Sequence, residues 1–143
     1  DPSRKSDLYI RTGKTTWVAD GPGGKGSVIV TPDEPNNDHG MVQFQNIDPM
    51  FWKGGKEISV FLKGDGKPGP VTAYLAYDTN YYIDKSVPNY TQFQLVPTCQ
   101  VFAAGWKEYV LPLSQVANLP RVGSLFFETA GQRPLQIGTI SWR

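Results

Sequence analysis

Short runs in which apolar and polar positions alternate every second residue recur along this chain, each closed by glycine, proline or Asx residues. Period two belongs to a strand with one buried face, so these runs predict strands. Met41-Val42-Gln43-Phe44-Gln45 sets Val42 and Phe44 against Gln43 and Gln45. Glu57 to Lys63 turns Ile58, Val60 and Leu62 inward. Thr72 to Asp78 sets Ala73, Leu75 and Tyr77 against Thr72, Tyr74, Ala76 and Asp78, and Gln92-Phe93-Gln94-Leu95 repeats the glutamine alternation of the first run. Further strands are predicted at Leu8 to Ile10, Thr15 to Ala19, Ser27 to Val30, Gln100 to Ala103, Trp106 to Leu113, Ser124 to Glu128 and Leu135 to Arg143, with a brief helical turn over Ser114 to Leu119. No stretch sustains a helical period over the roughly twelve residues that a helix requires. Nine or ten short strands with a turn about every 8–12 residues predict an all-β fold. The expected architecture is a β-sandwich, a jelly roll of two antiparallel sheets with the first and last strands side by side.

Composition sharpens this picture. Gly (15) and Pro (12) are both frequent and fall between the apolar runs, as many tight turns require. The 143 residues suit a single domain spanning 1–143, long enough to bury a two-layer core without disulfides. Lys plus Arg (14) nearly balances Asp plus Glu (13), and the cations are scattered, so nothing resembles the basic stripe that a nucleic acid demands. No apolar run approaches the ~20 residues of a membrane span, so neither nucleic acid nor membrane is expected as a partner. Cys99 is alone, which excludes an internal disulfide and a thiolate zinc cluster; a small core residue is the expectation for it. His39, the one histidine, has no second to complete a zinc site. The sequon Asn89-Tyr90-Thr91 is consistent with a secreted chain.

Two loops invite chemistry. Asp20-Gly21-Pro22-Gly23-Gly24-Lys25-Gly26 is too glycine-rich for a helix, lacks the spacing of a phosphate loop and precedes a strand, so it predicts no nucleotide. The segment from Pro32 to Gly40 carries Asp33, Asn36, Asn37 and Asp38, which could ring a hard cation such as calcium; the same residues are those of a plain surface turn. No cofactor is required, and a structural calcium is left open.

Between the strands ending near Asp78 and starting near Thr91, the connector holds Tyr81, Tyr82 and Tyr90 where polar turn residues are usual. Aromatic rings at the edge of a rigid sheet suit a hydroxyl-rich, partly apolar ligand, because ring faces cover C–H patches while amides and carboxylates meet the hydroxyls. Phe51 and Trp52 are adjacent and face different ways, so Phe51 is the natural plug and Trp52 the exposed ring beside Gly54 and Gly55, although an amphipathic cover over one end of the barrel explains both rings about as well. The candidate ligand set follows. Gln43, Gln45, Gln92 and Gln94 form a floor of hydroxyl partners; Trp52, Tyr81 and Tyr82 are stacking rings; Asp78, Asn80 and Asp84 are further polar contacts; Tyr74 and Tyr90 are secondary. The ordinary alternatives are core packing for each tyrosine and solvation for each glutamine.

The stretches Gly105-Trp106-Lys107-Glu108-Tyr109-Val110-Leu111-Pro112-Leu113, Leu125-Phe126-Phe127-Glu128 and Leu135-Gln136-Ile137-Gly138-Thr139-Ile140-Ser141-Trp142 resemble the closing strands of jelly-roll carbohydrate-binding modules of the galactose-binding-domain-like superfamily. That resemblance implies a non-catalytic, lectin-like module that binds a polysaccharide or oligosaccharide, appended to a secreted glycoside hydrolase, with a calcium in many members. Here Gly138-Thr139 stands where such modules often place an aspartate pair. The expectation is an extracellular monomer recognising a plant or microbial polysaccharide of β-glucan type. Two other readings stay open. One is a protein-docking domain with the aromatic loop as hot spot. The other is a small glycan-active enzyme drawing on Asp78, Asp84, Glu57, Glu108 or Glu128, for which no catalytic motif is present.

Overall fold

Ten strands carry the regular structure of the computed structural model, which describes residues 8–10, 14–31, 39–44, 55–77, 90–116, 122–130 and 133–143. They are β1 (Leu8–Ile10), β2 (Lys14–Val18), β3 (Ser27–Thr31), β4 (His39–Phe44), β5 (Glu57–Lys63), β6 (Val71–Tyr77), β7 (Tyr90–Val96), β8 (Trp106–Pro112), β9 (Val122–Ala130) and β10 (Leu135–Trp142). Two antiparallel five-stranded sheets result, the first ordered β1-β4-β9-β6-β7 and the second β2-β3-β10-β5-β8. This is the expected β-sandwich.

The alternation read from the sequence is what holds the layers together. In the first sheet Ala73, Leu75, Phe93, Leu125 and Phe127 point inward; in the second Val28, Ile58, Val60, Leu62, Tyr109, Leu111 and Ile137 do, and all belong to one core cluster. Most of these are entirely buried, and each such aliphatic or aromatic side chain contributes about 1.5–3 kcal/mol of burial energy.

One end of the sandwich is closed by two loops stitched together. Gly64 N donates to Ala103 O (2.6 Å), Gly66 N to Phe102 O (2.8 Å), Phe102 N to Lys67 O (2.7 Å) and Gly69 N to Gln100 O (2.6 Å). Phe102 plugs the core beneath them, and a Cβ on Gly64 would lie 2.5 Å from its ring, so only glycine permits that approach. Arg133 locks the same loops from outside. Its Nε and Nη2 donate to the Asp65 carboxylate at 2.8 and 2.6 Å, Nη1 to Pro68 O at 2.6 Å, and the guanidinium lies 5.8 Å from the Phe102 ring centroid.

Several expectations are corrected here. Gln100 to Ala103 is no strand but this loop, with a lone bridge from Val101 to Pro68; the apolar signal came from Phe102 acting as a plug. Cys99 is exposed, because it falls in the tight turn closed by Gln100 N donating to Pro97 O (3.0 Å). The terminal strands are not neighbours. β1 pairs with β4, while β10 lies between β3 and β5 in the other sheet. Of the helical turn predicted over Ser114 to Leu119, the described part is a 3-10 turn at Leu113–Gln115, and residues 117–119 lie outside the described residues.

The glycine-rich segment after β2 forms a 3-10 turn at Pro22–Gly24, with Gly23 and Gly24 at positive φ. It is pinned by Ser27 Oγ donating to Asp20 O and by Lys63 Nζ on Asp20 Oδ2 at 3.1 Å. Gly138 lies where the β10 register shifts, and a Cβ there would stand 2.7 Å from Pro22 and 3.0 Å from Trp106. Close packing by the Pro22 turn thus accounts for a glycine at this position. Among the described residues no helix is long and apolar enough to cross a membrane.

Candidate functional site

The outer face of the first sheet gathers the described candidates. Opposed residues of an antiparallel pair share a face, so register defines rows across the sheet. One row runs Gln43, Phe126, Tyr74, Gln92; the next runs Met41, Glu128, Thr72, Gln94. Tyr90, opposite Ala76, starts a third. The intervening rows carry Ala73, Phe93, Leu125 and Phe127 into the core, which assigns Thr72, Tyr74, Gln92, Gln94 and Glu128 to the outer side. Both glutamine strands therefore belong to one sheet, separated by β9 and β6, and the strip from β4 to β7 is about 14 Å wide at a strand spacing near 4.8 Å.

Within this strip the side chains differ in what they can offer. Gln92 and Gln94 are exposed on the edge strand β7, and their amides both donate and accept. Tyr90 is half-buried and meets Tyr74 edge-on, with ring centroids 5.3 Å apart at 82°. Tyr74 is only 2% exposed, which corrects its expected part as a stacking ring: a ring without an open face cannot cover a sugar. Its Oη instead donates to Glu128 Oε1 at 3.0 Å. Burial first, then the Glu128 charge and this hydrogen bond, push the Tyr74 phenol far above its usual range, so it stays a donor. Tyr74 is a pillar that fixes Glu128 and supports Tyr90. Tyr74→Phe should cost about 1.5–2 kcal/mol in urea unfolding, since a hydrogen bond to a charged acceptor is lost while the packing is kept; an unchanged midpoint would deny the pillar its role.

Thr72 and Glu128 belong to the strip and were not among the ligand residues expected from sequence. The signal was present in the run Leu125 to Glu128, where alternation places Glu128 opposite to Leu125 and Phe127. Gln45, Trp52, Asp78, Asn80, Tyr81, Tyr82 and Asp84 lie outside the described residues, as do Asp33, Asn36, Asn37 and Asp38.

The described carboxylates are committed elsewhere. Glu57 and Glu108, both on the second sheet, share Arg143 at 2.8 and 2.9 Å; Asp65 takes Arg133, Asp20 takes Lys63, and Glu128 takes the Tyr74 phenol. Among the described residues no three His, Cys, Asp or Glu side chains gather as a metal site.

No protein-family model and no curated protein matches the sequence. Solved structures do match in fold. The family 11 carbohydrate-binding module from Clostridium thermocellum, in complex with a β-1,3-1,4-mixed-linked tetrasaccharide, superposes with a TM-score of 0.67 at 14% identity, over 95% of this chain and 88% of that one. The K2 cleaved adhesin domain of Lys-gingipain gives 0.61 at 11% identity, covering 96% and 90%. The CBM22-1 and GH10 modules of Clostridium thermocellum xylanase 10B, complexed with xylohexaose, give 0.59 at 16% identity, covering 96% of this chain and 26% of theirs. The chain has the β-sandwich fold of carbohydrate-binding modules.

Proposed function

We propose that this chain is a non-catalytic carbohydrate-binding module that holds a polysaccharide of β-glucan type on the outer face of its first sheet. The observation that carries this reading is convergence: Gln43, Tyr90, Gln92 and Gln94, singled out from separate stretches of sequence, fall in adjacent rows of one sheet. Exposed amides beside a half-buried ring are the partners that hydroxyls and C–H faces need. The fold shared with a module bound to a mixed-linked glucan tetrasaccharide supports the same class. Sugar hydroxyls must give up water to bind, so the affinity should be weak, about micromolar to millimolar. In this reading Trp52, Tyr81 and Tyr82 supply stacking rings at the rim, with Asp78, Asn80, Asp84 and Gln45 as further polar partners, and the module acts as an extracellular monomer appended to a glycoside hydrolase.

Affinity electrophoresis against mixed-linkage glucan, cellulose derivatives, xylan, mannan and pectin tests it. Mixed-linkage glucan should retard the protein most, and Tyr81→Ala or Tyr82→Ala should relieve that retardation while the melting temperature holds. Mobility unaffected by every glycan, with the protein folded, would sink the reading. Unfolding of both tyrosine variants would return these rings to the core.

A further inference from the structure

Open sheet edges invite pairing with a further strand, and proteins blunt them with very short strands, charged side chains or proline. Three of the four edges here are blunted in these ways. β1 has three residues, β2 carries Lys14, and β8 carries exposed Lys107 and Glu108 and ends in Pro112. The exception is β7: Tyr90-Thr91-Gln92-Phe93-Gln94-Leu95-Val96 runs seven residues with no charge and no proline, and β6 is its one partner among the described strands. In an antiparallel pair the N–H and C=O of every second residue point away from the partner. A row of main-chain donors and acceptors therefore lies along the open side of β7. The outer face leads to the same place. Toward the middle of the sheet Tyr74 is 2% and Thr72 8% exposed, whereas Gln92 and Gln94 on β7 are open.

Resting on the polysaccharide-binding reading above, we propose that the sugar site continues over the rim of the sheet, where the open backbone edge of β7 is a second row of hydrogen-bonding groups for a neutral glycan. A hydroxyl both donates and accepts, so it matches main-chain N–H and C=O alike. Gln92 and Gln94 then hold the chain from the sheet face while the backbone holds it from the side. A protein strand fits this edge less well. It brings apolar side chains that need cover, and the large apolar residues exposed among the described ones, Val101 and Val110, both lie outside β7.

Residue-resolved amide hydrogen exchange of the wild type, with and without a saturating mixed-linkage glucan oligosaccharide, tests this. Amides of β7 that point away from β6 should slow about fivefold on binding, the factor for one neutral hydrogen bond, and those already paired with β6 should hardly change. That every-second-residue pattern separates a main-chain contact from a general tightening of the strand, which slows both sets alike. Sugar binding with the open-side amides of β7 unchanged, or with both sets slowed equally, overturns the edge contact and leaves sugar binding intact. Slow exchange of those amides before sugar is added, with a mass that doubles as protein concentration rises, gives the edge to a second copy and overturns the contact too. A folded wild type that binds no glycan of the panel overturns the underlying reading instead.

Discussion

Arg133→Ala is expected to destabilise the protein by about 3 kcal/mol, seen as a lower urea midpoint at an unchanged slope. The guanidinium grips Asp65 through two hydrogen bonds and adds bonds to Pro68 O and Lys67 O, so one side chain ties down the loop between β5 and β6. Both members of the ion pair are only 18% exposed, which removes much of the solvent screening that makes surface pairs weak. Truncating Arg133 leaves Asp65 partly buried and without its cation, and it uncovers the Phe102 plug. Arg133→Lys should recover only part of the loss, since an ammonium lacks the fork that meets two carboxylate oxygens and a carbonyl together. The Arg133 hydrogen bond, outweighing desolvation, holds the Asp65 carboxyl below its usual 3.8. A carboxyl depressed in the folded state contributes stability above its unfolded value and loses it as the pH falls through the folded one. The gap between wild type and Arg133→Ala should therefore stay level from neutral pH to about pH 4 and close below it.

The second large effect concerns binding. Gln92→Ala combined with Gln94→Ala should weaken affinity for a mixed-linkage glucan oligosaccharide by about thirtyfold, with a melting temperature close to wild type. Both amides are exposed on an edge strand, so their removal opens no cavity and strands no buried partner. Each neutral hydrogen bond is worth about 1 kcal/mol, and two together give about 2 kcal/mol, or the factor stated. The two positions are i and i+2 on one face and would contact the same sugar chain, so the pair should cost somewhat more or less than the sum of the single changes.

Much of this was legible before any coordinates. The alternation in β5 assigned Ile58, Val60 and Leu62 to the core, that in β6 set Ala73 and Leu75 on the face opposite Thr72 and Tyr74, and that in β7 turned Gln92 and Gln94 outward, because period two leaves a strand few other options. Local pattern says which face a residue takes, not what covers that face. Tyr74 was expected as a secondary ligand residue with core packing as the alternative, and its burial arises beside Tyr90 on β7 and Glu128 on β9, which are distant in sequence. The Arg133 clamp was invisible for the same reason, since its carboxylate partner lies 68 residues away. Gln100 to Ala103 misled because a short apolar run serves equally as a strand or as a loop that lowers one ring into the core. The side-by-side terminal strands failed because pairing order is non-local: a three-residue β1 at the sheet edge carries no sequence mark of its partner β4.

Titration calorimetry of the wild type and of the Gln92→Ala, Gln94→Ala double variant with a mixed-linkage glucan oligosaccharide tests the central claim most directly. The account predicts saturable binding at a micromolar to millimolar dissociation constant for the wild type and an affinity about thirtyfold lower for the folded double variant. Equal affinity in the two proteins would contradict the placement of the site on this face.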